Sequence, residues 1–207
     1  RCHIDCDKID HMDEIIDSQA ADFYDAHFSN LVYHSDKIDF REFYDCVFAN
    51  CSFHEVDFKG SRFINCTFDS CDLSLAQMTR AAFRGTVFKN CKMIGIDWSV
   101  SSSPLLAEFF DCDLSYASFA HIDLSQGKII RCKAHEVYFW ETNLTQADFS
   151  GTDFQDSQFK DSNLTKADFS TARSYTISPN ANVLKEAKFS LPEAVSLLNH
   201  LGIVLVE

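Results

Sequence analysis

The stretch CSFHEVDFKGSRFINCTFDSCDLS, residues 51–74, places a large apolar residue at every fifth position. Phe53, Phe58, Phe63, Phe68 and Leu73 hold these positions, which we call centres. A period of five fits neither the helical repeat of 3.6 residues nor the two-residue alternation of a strand. A chain that buries one large side chain in every five residues has to turn a corner about as often. The stretch therefore predicts a coiling backbone with short, straight sides.

The same spacing continues through most of the chain. Centres run from Phe23 to Trp98, slip by one residue within 99–108, and resume from Phe109 to Phe169. The residue two places before a centre is usually small. Because positions two apart on an extended segment point the same way, each side is expected to send one large and one small side chain inward.

Residues twenty apart are also alike, which is expected if four sides complete one coil and like side chains stack in neighbouring coils. With strands about 4.8 Å apart, roughly seven coils would make a rod about 35 Å long. Three such columns are Phe23, Phe43, Phe63 and Phe83; Phe28, Phe48, Phe68 and Phe88; and Leu124, Leu144, Leu164 and Leu184.

Most of the cysteines fall on the small inward positions. A metal or disulfide ladder is one interpretation, and buried thiols that act as small hydrophobic residues are the other. The second is favoured because the chain has no CxxC pair and because the cytosol is reducing. The cysteines concerned are Cys46, Cys51, Cys66, Cys71, Cys91, Cys112 and Cys132.

The chain is acidic, with 18 Lys and Arg against 31 Asp and Glu and a formal net charge of −13 over 207 residues. Such a chain repels nucleic acid and anionic membranes, so we expect neither direct nucleic-acid binding nor membrane association. The first residues lack the apolar stretch of a signal peptide, which predicts a cytoplasmic protein. Residues 1–20 are expected to be an N-terminal extension or a first irregular coil, and His-Met at 11–12 leaves open whether residues 1–12 are native.

The repeat units resemble the pentapeptide-repeat family. Typical units are CDLSLAQM (71–78), ASFAH (117–121), TNLTQADFSGTDF (142–154) and SNLTKADFSTA (162–172). The resemblance covers residues 21–189, with a short break at 99–108. It implies an all-β fold, a right-handed quadrilateral β-helix, ending in a short C-terminal α-helix.

The segments WSVSSSPLLAEF (98–109) and AKFSLPEAVSLLNHLGIVLVE (187–207) are similar to the branch with Qnr-type quinolone-resistance and microcin-immunity proteins. In that branch two rods join end to end through the tail, so residues 190–207 are expected to form a helix and a strand that dimerise. Ser190 and Glu193 form a capping box, and an apolar stripe at helical spacing follows. The stripe either covers the last coil of its own rod or is shared between two copies. The expected dimer residues are Val195, Leu197, Leu198, Leu201, Ile203 and Val204.

No catalytic motif occurs in the sequence, so we expect a protein that is not an enzyme and has no cofactor or metal site. The histidines are scattered. His54 and Glu55 are adjacent, but neighbouring side chains on an extended segment diverge.

The remaining candidate is the acidic surface of the rod. The resemblance implies a duplex-DNA mimic that binds DNA gyrase or topoisomerase IV and counters poisons such as quinolones. Two alternatives remain: the acids simply keep the rod soluble, or the protein is a binding scaffold with no topoisomerase role. Qnr proteins of the Gram-negative type carry long loops, whereas the only expected loop here, Ser101, Ser102, Ser103 and Pro104, is short. The expected acidic binding face comprises Asp72, Asp97, Asp111, Asp113, Asp148, Asp153 and Asp168.

Overall fold

The protein is a four-sided, right-handed β-solenoid of about eight turns, one more than the spacing predicts. The computed structural model describes residue 15, residues 21–201 and residue 203. The expected strand at 203–206 and Val204 lie outside these residues, except for Ile203, which is exposed and not in a strand. We name the four sides by the centres of one coil: side I by Phe43, side II by Phe48, side III by Phe53 and side IV by Phe58.

Many of the sides are short parallel strands. Strands twenty residues apart pair in register, so that Phe23 faces Phe43, which faces Phe63. The strands are β1 Asp22–Tyr24, β2 His27–Ser29, β3 Val32–His34, β4 Glu42–Tyr44, β5 Val47–Ala49, β6 Ser52–His54, β7 Arg62–Ile64, β8 Thr67–Asp69, β9 Ala82–Lys89, β10 Leu106–Phe110, β11 Lys128–Ile130, β12 Tyr138–Trp140, β13 Gln158–Lys160, β14 Asp168–Phe169 and β15 Lys188–Phe189.

The core is a continuous file of stacked rings along the axis of the rod. Phe43 and Phe63 lie parallel, with ring centroids 5.0 Å apart and an interplanar angle of 3°. Within a coil, Phe43 meets Phe48 of the next side edge to face, at 5.3 Å and 73°. Both arrangements are favourable for aromatic rings, and together they fill the square cross-section.

The corners are made by left-handed residues two places after the centres. Asp45 and Asn50 have φ values of 55° and 53°, a conformation that Asp, Asn and Gly tolerate best. Phe40, also left-handed, is 62 % exposed and folds over the next coil. A Cβ added to Gly60 would lie 2.7 Å from the Phe40 ring. Position 60 therefore favours glycine for two reasons, its left-handed backbone and the close approach of this ring.

The small inward residues join the coils by hydrogen bonds. The Ser61 hydroxyl donates to the carbonyl of Ile38, and Thr152 donates to that of Ile129, both at 2.6 Å. The Cys46 thiol makes the corresponding contact with the Phe23 carbonyl at 3.6 Å. These positions are therefore hydrogen-bond donors as well as fillers of space, which the sequence analysis missed.

The seven inward cysteines are free and buried, as the hydrophobic interpretation predicts. They stack in columns, and contact with Cys112 together with burial raises the pKa of the Cys91 thiol to about 12. The Cys91 thiol is therefore protonated at neutral pH and is a poor nucleophile.

The break at 99–108 adds one residue to a coil without projecting from the rod. The register between β9 and β10 shifts between Leu106, which faces Arg84, and Ala107, which faces Thr86. Before it, a 3-10 turn at Trp98–Val100 starts at Asp97, whose carboxylate accepts the N–H of Ser99.

A second irregularity, at residues 173–183, was not expected from the spacing. Phe159 faces Ile177, whereas Asn163 faces Val183, so the register shortens by two residues and then recovers. Tyr175 and Ile177 fill the core there.

The C-terminal helix, Glu193–Leu201, is a 3-10 helix and not the α-helix expected. The Val195 N–H donates to the Pro192 carbonyl three residues back, at 3.0 Å. The expected capping box is also wrong. The Ser190 hydroxyl donates to the Ser170 carbonyl of the coil beneath, whereas a capping box would have it accept from the helix. None of the helices in the described part of the chain has the length and apolar character needed to cross a lipid bilayer.

Candidate protein-binding surface

The aspartates that precede many centres shape the corners of the rod. The Asp72 carboxylate accepts the backbone N–H of Ser74 at 2.9 Å, and Asp148 and Ser150 repeat this bond at 2.9 Å. Such Asx turns stabilise a bend two residues on. A carboxylate at this place therefore has a structural role, whatever else it binds.

Side III carries a column in which acidic and basic residues alternate. Lys92 lies 3.4 Å from Asp72, one coil away, and the pairs higher in the column are closer. Lys133 lies 3.1 Å from Asp113, and Arg173 lies 3.1 Å from Asp153. In order along the rod the column reads Asp72, Lys92, Asp113, Lys133, Asp153 and Arg173.

Two further members of the expected acidic face are also paired. Arg131 donates two hydrogen bonds to Asp111, at 2.8 and 2.6 Å, and this guanidinium holds the pKa of Asp111 below its ordinary value. Lys188 lies 3.0 Å from Asp168 on side II. Both pairs join successive coils.

The structure thus spreads the seven expected residues over three sides. Asp72, Asp113 and Asp153 are on side III, Asp111 is at the corner between sides II and III, Asp148 and Asp168 are on side II, and Asp97 is on side IV. Five of them form an ion pair with a Lys or Arg, so their charge is largely compensated.

Exposed aromatic residues and like-charged corners meet on side IV, where β12 pairs with β13. Tyr138 and Trp140 are 47 % and 46 % exposed, and the Lys160 ammonium lies 5.1 Å from the Trp140 ring centroid. Left-handed corners on both edges carry exposed acids in two successive coils. We call this surface the aromatic–acidic patch: Glu136, Tyr138, Trp140, Glu141, Asp156 and Asp161.

Acidic residues at equivalent corners of successive coils concentrate negative charge along both edges of this side. His121, whose Nδ1 lies 3.3 Å from a Glu141 oxygen, is a neighbouring basic group. Exposed Trp and Tyr are typical of protein-binding surfaces. The four acids of the patch were not grouped from the sequence, although their spacing of five and twenty residues would have grouped them.

The expected dimer residues divide between two surfaces of the tail. Leu197 packs against the core, as Phe189 also does. Val195, Leu201 and Ile203 are 37 %, 49 % and 51 % exposed. In a 3-10 helix, residues three apart align, so Val195, Leu198 and Leu201 share one face.

The expected loop lies along the rod. The Ser102 N–H donates to the Ala81 carbonyl at 2.8 Å, and the Ser103 hydroxyl accepts the Asp123 N–H at 3.3 Å. Ser101 donates its hydroxyl to the Trp98 carbonyl at 2.6 Å, while Pro104 is exposed. These bonds place the segment between two coils.

Two solved structures similar to this chain come from proteins with different described roles. QnrB1, a plasmid-mediated fluoroquinolone resistance protein, is 21 % identical with a TM-score of 0.64, covering 87 % of this chain and 100 % of its own. HetL, a pentapeptide repeat protein involved in heterocyst differentiation regulation in the cyanobacterium Nostoc, is 12 % identical with a TM-score of 0.60, covering 84 % and 90 %. At these identities the likeness shows the fold. No curated protein matches the chain significantly.

A family model described as a pentapeptide repeat region matches residues 41–102 and 106–173, with a gap at 103–105 inside the break at 99–108. The matched residues make up more than half of the chain. They include the stacked centres, the left-handed corners and the small inward donors described above. The chain therefore belongs to the pentapeptide-repeat family.

Proposed function

We propose that this protein acts without catalysis, by binding a basic protein surface through the aromatic–acidic patch. The carrying observation is that exposed acidic residues occupy the left-handed corners at both edges of side IV in two successive coils, Glu136 and Asp156 at one edge and Glu141 and Asp161 at the other, beside the exposed Trp140. A partner that brings Lys or Arg to these corners complements their negative charge, and an aromatic side chain adds apolar contact.

The proposed partner is DNA gyrase or topoisomerase IV, in the cytoplasm, and the proposed outcome is protection from, or modulation of, gyrase poisons such as quinolones. The support is the acidic surface: residues 21–201 hold more Asp and Glu than Lys and Arg. A groove that binds duplex DNA is basic, because the duplex carries one negative charge about every 1.7 Å. The fold likeness to QnrB1 makes this partner the first to test.

The rod is proposed to act as a homodimer joined through the tail. The exposed apolar residues of the 3-10 helix support this, because Val195 and Leu201 remain exposed after Leu197 has packed on the last coil. About eight turns at about 4.8 Å give a rod of about 40 Å, and two rods end to end reach about 80 Å.

The experiment is a supercoiling assay with purified gyrase, with and without ciprofloxacin, at micromolar concentrations of this protein. The informative variant is Glu136→Lys/Glu141→Lys. Its matched control is Asp22→Lys/Asp45→Lys, which changes the net charge equally on exposed residues of the first coils. We expect the wild type and the control to rescue or inhibit supercoiling and the patch variant to have lost the effect. No effect of the wild type would remove gyrase as the partner.

A binding scaffold with no topoisomerase role is the second candidate, and side III favours it. The alternating column from Asp72 to Arg173 does not reproduce the continuous negative charge of DNA. Capture experiments from cytosol, compared between the wild type and the patch variant, distinguish the two: recovery of a partner other than gyrase, lost in the variant, supports the scaffold.

A further inference from the structure

Two histidines and a glutamate meet on side III near the N-terminal end of the rod. β3 and β6 pair in parallel, and the register sets His34 directly opposite His54. Their imidazole rings are stacked, with centroids 5.2 Å apart and an interplanar angle of 8°. The two rings therefore present their nitrogens in the same direction from successive coils.

Glu55 brings a carboxylate to both rings. Its Oε2 lies 3.8 Å from His34 Nε2, and its Oε1 lies 3.7 Å from His54 Nε2. Taken together, the donor atoms of the three residues lie within 4.8 Å of one another. The expectation that the neighbouring side chains of His54 and Glu55 diverge is therefore wrong for this pair. Glu55 is a left-handed corner with φ of 59°, so the chain does not continue as a strand there.

A neighbouring hydroxyl holds the carboxylate in place. Ser35, the corner residue one coil below, donates to Glu55 Oε2 at 2.7 Å. This hydrogen bond lowers the pKa of Glu55, and the two histidines act in the same direction. The hydroxyl thus helps to hold the carboxylate beside both imidazoles.

We propose that His34, His54 and Glu55 form a surface site for a divalent transition-metal ion of the zinc type. Two imidazole nitrogens and one carboxylate oxygen are a common zinc donor set, with a fourth position left to water. Imidazole also suits Cu²⁺ and Ni²⁺, whereas Mg²⁺ and Ca²⁺ prefer oxygen ligands. Donor atoms on one zinc ion are roughly 3–3.5 Å apart, so the exposed His34 and the half-buried His54 and Glu55 have to move by about 1 Å.

The ion would join two coils that are otherwise held by backbone pairing and core contacts. His34 belongs to one coil and His54 and Glu55 to the next, so the complete donor set exists only in the folded rod. A ligand that binds the folded state alone stabilises it in proportion to its concentration over the dissociation constant. Binding at this site is independent of any topoisomerase partner.

The test is isothermal titration of Zn²⁺ into the untagged, chelator-treated chain, with the melting temperature followed in parallel. We compare the wild type with His54→Gln, His34→Gln and Glu55→Gln. The matched control is His121→Gln, because His121 also lies beside a glutamate, Glu141, and has no stacked histidine in this position. Circular dichroism establishes that each variant is folded.

The wild type and His121→Gln are expected to bind one more Zn²⁺ than His34→Gln and His54→Gln, and to show a larger rise in melting temperature with Zn²⁺. Glu55→Gln is expected to weaken this site at least tenfold. Equal stoichiometry in the wild type and both histidine variants would overturn the proposal. Loss of the same Zn²⁺ in His121→Gln would overturn it as well, because the ion would then lie elsewhere.

Discussion

The rings of Phe48 and Phe68 lie 4.5 Å apart, centroid to centroid, and within 9° of parallel, although twenty residues separate them in the chain. Phe48 also meets Phe43 and Phe53 of its own coil edge to face. Phe48 is therefore held by the stacked rings of Phe28 and Phe68 and by edge-on rings on either side. Stability in such a rod passes from coil to coil rather than through one central cluster.

Phe63→Ala is expected to lower the free energy of unfolding by about 3–5 kcal/mol, the usual range for a buried phenylalanine. Phe63 is 1 % exposed and stacks between Phe43 and Phe83. Urea denaturation followed by circular dichroism measures the change. The control is Tyr24→Ala, since Tyr24 is 50 % exposed. A loss below about 1 kcal/mol for Phe63→Ala would show that this column is not the core.

The small inward positions lead to a second prediction, on hydrogen bonding. The Cys132 thiol contacts the Phe109 carbonyl at 3.6 Å, and the hydroxyl of Thr152, one coil on, contacts Ile129 at 2.6 Å. Thr and Val have nearly the same shape, so a comparison of the two variants separates the effect of the hydrogen bond from the effect of packing. Cys132→Thr is expected to be at least as stable as the wild type, and Cys132→Val to be less stable than Cys132→Thr by about 1–2 kcal/mol.

Denaturation midpoints of the two Cys132 variants decide the point. Equal stability of the Thr and Val variants at position 132 would mean that these positions only fill space.

The spacing of five was sufficient to predict the columns because only one register buries a large residue at every step. It was insufficient at Tyr175 and Ile177, where the register shortens and the centres leave their period. The pairing of Asp72 with Lys92 could have been predicted, since opposite charges twenty residues apart face each other, but the acids were considered alone. The contact of Glu55 with His54 could not, because it depends on a left-handed corner.

The Asp111–Arg131 pair predicts how stability changes with pH. The hydrogen bonds from Arg131 lower the pKa of Asp111 below its ordinary 3.8. A carboxyl with a lowered folded-state pKa contributes stability above the ordinary value, and the contribution is lost as the pH falls through the folded-state value. In Arg131→Gln, the pKa of Asp111 is expected to return towards 3.8.

Carboxyl NMR titration of Asp111 measures this pKa directly, and unfolding between about pH 2 and 5 measures its effect on stability. The stability difference between the wild type and Arg131→Gln should shrink as the pH falls. Arg80→Gln, which removes the same charge from another corner, is the control and should leave the pKa of Asp111 unchanged. An unaltered Asp111 pKa in Arg131→Gln would show that the pair does not persist in solution.

The tail helix gives the last prediction, because its type decides which residues remain available to a second copy. With residues three apart aligned, Val195 and Leu201 point away from the coil that Leu197 covers. Leu201→Asp places a charge in the proposed interface without disturbing the core, so a folded monomer is expected, with the mass measured by light scattering. Leu106→Asp, at a residue 48 % exposed on the flank of the rod, is the control and should remain dimeric. A dimer that persists in Val195→Asp/Leu201→Asp would place the interface elsewhere and leave the helix as the cover of its own rod.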